Sequence, residues 1–253
     1  MNLKKLIYIS SIIFVVILLM IWEYAVHINK LSAVILPPPS EIFLALKRQV
    51  ISGALFRHIT ASFKRVMLGY FFGSLFGIIL GFVLYAFPKL SDFLQFPLGL
   101  IRPIPSMALF PIFILWLGIG ETSKIVVIAF VAFWPVFLNT EEGVRQTDKN
   151  LVELSQVLRK NRLRKITSII IPSTIPYIFS GLRLGISRSW GGVVVAEMLA
   201  ASSGIGFLIE YSREMSQSAV MFMSVIVIAL IGFFIDVILK LVQKKICFWS
   251  KEL

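Results

Sequence analysis

Between Thr140 and Pro172 the chain reads TEEGVRQTDKNLVELSQVLRKNRLRKITSIIIP, a basic, helix-forming stretch set between long apolar runs and closed by proline. In this protein the polar segment is the interruption and the apolar runs are the rule. A membrane domain that offers a docking surface to a soluble partner has that pattern.

Composition supports the class. With 58% hydrophobic residues, 15% charged residues and a mean hydropathy of +0.89, 253 residues cannot form a soluble globule without exposing large apolar patches. Runs without charge occupy Leu6–Trp22, Val66–Pro88, Pro103–Gly120, Ile125–Thr140 and Met215–Ile235, each near the roughly 20 residues of a bilayer-spanning helix. A sixth run, Pro176–Leu199, is interrupted by Arg183, Arg188 and Glu197. The expected architecture is all-α, one transmembrane domain over 1–253. Its six spans lie near 6–26, 60–87, 97–118, 123–140, 175–200 and 215–239, with a polar loop over 141–174. The first run follows Lys4 and Lys5 but offers no small-residue cleavage site near Trp22–His27, so it is read as an uncleaved helix. A single cysteine, Cys247, excludes an internal disulfide and a cysteine-based metal cluster.

Orientation follows from where lysine and arginine fall. If the N-terminus is inside, that side holds Lys4, Lys5 and Lys89, seven cations of the 140–172 loop, and Lys240, Lys244, Lys245 and Lys251. The other holds Lys30, Lys47, Arg48, Arg57, Lys124 and Arg213. Both termini and the polar loop are therefore expected on the cytoplasmic side of the membrane. The net charge of +12 follows this sidedness, and the loop carries no aromatic residue to stack a base, so nucleic acid is not an expected partner.

Outside, Leu36-Pro37-Pro38-Pro39-Ser40-Glu41 ends any helix; Ser40 is placed to cap a new one to about Ile51, with Ile42, Ala45, Leu46 and Gln49 on one face, lying on the membrane surface. His27 and His58 are read as solvated residues of this external loop. Gly69, Gly73, Gly77 and Gly81 recur every four residues and form a stripe that admits a neighbouring backbone. Around Arg102, Pro97, Pro103, Pro105 and Pro111 break the third span; either the helix start is kinked with Arg102 snorkelling, or the broken backbone lines a route. In the fifth span Gly181, Gly185, Ser189, Gly192 and Ala196 share a packing seam. Arg183, Ser187, Trp190, Val194 and Glu197 share an opposite stripe. Ionisable residues at this depth avoid lipid, which makes that stripe a pathway candidate; Arg188, the deepest charge, either lines the pathway or caps carbonyls of a neighbour.

The block Glu153-Leu154-Ser155-Gln156-Val157-Leu158-Arg159, nine further residues and Ile169-Ile170-Ile171-Pro172 resembles the E-A-A-x3-G-x9-I-x-L-P signature of permease subunits of binding-protein-dependent ABC importers. LPPPSEI (36–42), RPIPSMALFPIFILWLGIGETSKI (102–125), FWPVFLNTEEGVR (133–145), PYIFSGLRLG (176–185) and AEMLAASSGIGFLI (196–209) resemble its nitrate/sulfonate/taurine-type branch. The resemblance implies a type I importer fold and a permease dimer, expected to be a homodimer. It also implies two ATPase subunits inside and an extracytoplasmic binding protein. Glu153, Leu154, Ser155, Leu158, Arg159, Ile169 and Pro172 become ATPase-coupling residues. Arg159 stands where the family has glycine, and Leu154 and Ser155 where it has alanine. Read without the resemblance, the segment is equally a basic amphipathic helix on anionic headgroups.

The solute implied is an aliphatic sulfonate, taurine or a nitrate-like anion; alternatives are a thiamine-pyrimidine precursor or another small organic molecule on the same machinery. No G-x4-G-K-[ST] loop occurs, so ATP and Mg are expected on the partner and no cofactor, metal or catalytic residue on this chain. An intramembrane enzyme lacks a nucleophile or carboxylate pair in the spans. An ion-coupled secondary transporter is the remaining class, and its usual paired halves are not evident.

Overall fold

The computed structural model describes residues 3–28, 32, 35–148, 150, 153, 157 and 161–247. Among the described residues nine main helices succeed one another: α1 (Leu3–His27), α2 (Pro39–Ile51), α3 (Ala54–Ala86), α4 (Pro88–Ile101), α5 (Ser106–Leu117), α6 (Glu121–Arg145), α7 (Ile171–Ala200), α8 (Ile205–Glu214) and α9 (Ser218–Ile246). A helical turn, Arg162–Lys165, and a π-helical turn, Ile166–Ile170, lead into α7. No strand occurs among the described residues.

The centre is a three-helix layer of α3, α6 and α7. Along the glycine row of α3, Gly69 meets Ile128, Gly73 meets Ala129, Gly77 meets Phe133 and Gly81 meets Thr140, so α3 and α6 run parallel at backbone contact. A Cβ built at Gly69 would lie 2.6 Å from the Ile128 side chain, and at Gly73 it would run into the Ala129 carbonyl oxygen. Only hydrogen fits there. α7 runs antiparallel to α6, with Gly181 against Pro135 and Val136, and Gly185 against Val136 and Ala132. α9 packs along the other flank of α7, where the Trp190 indole N–H donates to the Ile228 carbonyl at 2.9 Å.

The six expected spans are not all single apolar helices. Among the described residues four helices are long and apolar enough to cross a membrane: α3, α6, α7 with its π turn, and α9. A fifth span exists only if α4 and α5 are taken together, and they are bent by 96°. The expected continuous span at 97–118 is thus two helices meeting at Arg102–Pro105, where Pro103 and Pro105 have no N–H to continue an α-helical ladder. α1 runs for 25 residues, Leu3–His27, and Ile13–His27 within it is apolar.

Two further corrections concern the outer loop. α2 begins at Pro39 behind an extended Pro38, and Ser40 is not its cap: the Ser40 hydroxyl and backbone N–H both donate to the Glu23 carboxylate of α1, at 2.6 and 3.0 Å. The face Ile42–Ala45 is buried against the bundle rather than laid on a membrane surface, joining Leu55, Met223 and Val227 in one apolar cluster. His58 is helical, in α3, and its Nδ1 accepts the Gly204 N–H at 3.1 Å; His27 closes α1 and bonds Glu23. Neither is a free loop residue.

The π turn has a local cause. Pro172 lacks the N–H that would bond back to Ser168, and its ring would press on that carbonyl. Widening the preceding turn relieves the crowding, and the Ile171 N–H reaches Ile166 instead.

Candidate functional site

The bundle has two polar ends. At the end where α3, α6, α8 and α9 begin and α7 finishes, Arg65 is almost fully buried and all five of its N–H donors are used. They reach both Glu121 oxygens (2.6 and 2.8 Å), Glu197 Oε1 (2.7 Å), and the Ser203 carbonyl and hydroxyl (2.6 and 3.1 Å). Glu197 is 1% exposed; its Oε2 accepts from the Ser62 hydroxyl at 2.8 Å and the Gly206 N–H at 2.9 Å. Ser62 in turn accepts the Ile205 N–H at 2.8 Å, and Lys124 donates to Glu121 at 2.9 Å. Glu197 and Ser62 therefore cap the start of α8 from two other helices, supplying acceptors for donors that a helix N-terminus leaves open. Gly204, at φ +121, brings the chain so close to the Glu197 carboxylate that a Cβ would overlap it. A buried charge survives only when paired and hydrogen-bonded, and here four chain segments meet that need together.

The sequence alone singles out Glu197 but not its partners Arg65 and Ser62, nor Glu121 and Ser203, which bind Arg65. A usable signal existed. A carboxylate in a span needs a cation partner, and Arg65 stands at the edge of the uncharged run that starts at Val66.

The six pathway candidates divide. Glu197 sits in the network just described, and Trp190 is 4% exposed under α9. Val194 is half-buried against the same cluster. Arg183 binds Asp236 of α9 through Nε to Oδ1 at 2.6 Å and Nη2 to Oδ2 at 3.0 Å. Ser187 and Arg188 are exposed in the single chain, and Arg188 shares its row with the exposed Leu184, Gly191 and Leu199. α7 thus has three faces, one on α6, one on α9 and one open, where sequence periodicity distinguished two.

At the opposite bundle end lies the 141–174 segment. Glu153 and Val157 are helical and exposed; Leu154, Ser155, Leu158 and Arg159 lie outside the described residues. Asn161 caps the following turn, its side-chain oxygen accepting the Arg164 N–H at 2.9 Å. Ile169 is half-buried and Pro172 exposed beside it. Near them, Glu141 and Arg145 pair at 2.6 Å on the last turn of α6.

A helical core around glycine contacts, a broken span and several apolar helices long enough to cross a membrane describe a multi-helix membrane protein. Residues 73–247 match the family described as binding-protein-dependent transport system inner membrane component, and the chain belongs to that family. It is 36% identical to the putative aliphatic sulfonates transport permease protein SsuC of Bacillus subtilis, over 93% of this chain and 86% of that protein. It is 32% identical to the taurine transport system permease protein TauC of Escherichia coli, over 93% and 88%. The nitrate import permease protein NrtB of Leptolyngbya laminosa is 30% identical over 76% and 69%. In fold, the chain matches an inward-facing structure of the MetNI methionine ABC transporter with a TM-score of 0.69 over 78% of this chain and 98% of that one, at 16% identity.

Proposed function

We propose that this chain is the permease of an ATP-driven importer for a small oxyanion, an aliphatic sulfonate, taurine or nitrate-like solute. The observation that carries the substrate class is its similarity over nearly its whole length to permeases named for those solutes. Two copies would enclose the route, and separate ATPase subunits would bind ATP and Mg. A binding protein would deliver solute at the end built around Arg65 and Glu197. The lysine and arginine distribution supports placing the termini and the 141–174 segment inside.

In this reading the open row of α7 faces the route, with Arg188 as its one cation and Ser187 at its edge; a positive charge in a confined low-dielectric passage raises local anion concentration. Arg183, Trp190, Val194 and Glu197 support that wall from behind by fixing α9 and α8. Cysteines placed at Ser187 and Arg188 are expected to react with a water-soluble thiol reagent at rates that change with nucleotide state, while Gly185→Cys stays protected. The native Cys247 is fully buried and its thiol is pushed up by that burial, so it gives little background. Equal labelling at all three positions in every state removes this assignment.

Coupling rests on the exposed Glu153 turn. Glu153→Lys is expected to cut co-purifying ATPase by about tenfold, the loss of roughly one charge-assisted contact, without changing membrane insertion. Wild-type ATPase recovery with normal transport argues against a docking role.

A further inference from the structure

Between α7 and α9, toward the end where α9 finishes, lies a cavity of ≈ 740 Å³ in which three cations face one carboxylate. Arg183 holds that carboxylate, Asp236, through two parallel bonds, and Lys240 attracts it from one turn farther along α9. Lys244, a further turn on, makes no ion pair among the described residues. The lining therefore keeps an excess of positive charge. Gln243 shares the α9 face of Lys240 and Lys244; it is 4% exposed, and its amide donates to the Ser180 hydroxyl oxygen of α7 at 3.1 Å. That bond holds the face against α7 and keeps both lysines at the cavity.

The cavity also adjoins the open row of α7. Leu184, one turn from Arg188, belongs to that row, and Ser187 stands at its edge; both line the cavity. Leu184 is the one apolar side chain in the lining among the described residues. Walls this polar suit a small hydrated anion rather than acyl chains, and a confined cleft of one sign concentrates the opposite charge.

We propose that this cavity is an inner binding site for the oxyanion group of the transported solute, a sulfonate for example, which Lys240 and Lys244 receive after it leaves Arg188. The inference rests on the importer reading above and adds to it a second station, on α9. Asp236 keeps that station weak: it already draws on Arg183 and Lys240, so a solute is attracted but not trapped, as passage along a route requires. The phosphate of a phospholipid shares this oxyanion chemistry, and the test separates the two sources.

Leu184→Cys, made in the permease–ATPase complex without nucleotide and held in phosphatidylcholine nanodiscs, places a reporter thiol in the cavity. Ethanesulfonate is expected to slow its reaction with a neutral water-soluble thiol reagent. The half-protecting concentration should rise about tenfold when Lys240→Gln/Lys244→Gln is added, the loss of two partly exposed charge contacts. It should be unchanged with Lys240→Arg/Lys244→Arg, and with Lys245→Gln, a neighbouring lysine that does not line the cavity. No protection by ethanesulfonate, unaltered protection in the double glutamine variant, or an equal loss with Lys245→Gln overturns the site. Phosphatidylglycerol in the nanodisc should leave the protection as it is; if it shields the thiol by itself, the cavity belongs to a lipid headgroup and the inference falls. ATP-driven uptake by the wild-type complex with its binding protein tests the importer reading separately, so uptake without protection removes the inner site and leaves that reading standing.

Discussion

Glu197→Ala is expected to destabilise the folded permease by about 3–5 kcal/mol, the cost of leaving a buried charge without its partner. Arg65 would keep Glu121 but lose the carboxylate on its enclosed side, while Ser62 and the Gly206 N–H would lose an acceptor. Because four chain segments converge there, the loss should appear as collapse of the α8 end rather than as a local defect. Arg65→Ala should be at least as damaging, since five hydrogen bonds vanish and the buried Glu197 loses its cation, while Glu121 keeps Lys124. A paired apolar replacement, Arg65→Leu/Glu197→Leu, should cost less than the sum of the single changes, because neither charge is left behind. Thermal unfolding of detergent-purified protein reads this out. A wild-type midpoint for Glu197→Ala would show that the network contributes nothing to the fold.

The other large effect is expected at Gly73. Its missing Cβ is what allows α3 to lie on the α6 backbone at Ala129. An alanine must force the helices apart or bend one of them, at about 1–3 kcal/mol as overpacking, and Gly73→Leu should leave little assembled protein. Leu75→Ala is the control. Leu75 is 40% exposed in the single chain and off the glycine row, so trimming it should change little. Comparable gel-filtration yields for Gly73→Leu and Leu75→Ala would mean that the α3–α6 contact does not hold the core.

What was legible in the sequence was whatever repeats along one helix. A glycine every fourth residue fixes a face without knowledge of the partner, and α3 and α7 both show such a row against α6. Pairings between distant helices were not legible. Arg65 and Glu197 are 132 residues apart, Arg183 and Asp236 are 53 apart, and no local pattern says which cation meets which carboxylate. The break at Arg102–Pro105 follows from its prolines, but its 96° bend depends on what packs around it. α8 was missed because ten residues with two glutamates and an arginine between two spans look like a loop. Their helix is secured at its start by Ser62 and Glu197. The coupling segment was recognised through spacing and resemblance rather than through any local physical necessity, and Ser40 shows the hazard of local logic alone: a residue well placed to cap α2 binds Glu23 of α1 instead.

The most direct measurement is uptake of radiolabelled taurine or ethanesulfonate into proteoliposomes that contain this chain, its ATPase and its binding protein. Uptake is expected only when all three proteins and ATP are present, and should cease when the ATPase is made hydrolysis-deficient. Uptake of the same solute by this chain alone, driven by an imposed ion gradient and indifferent to ATP, would contradict the account.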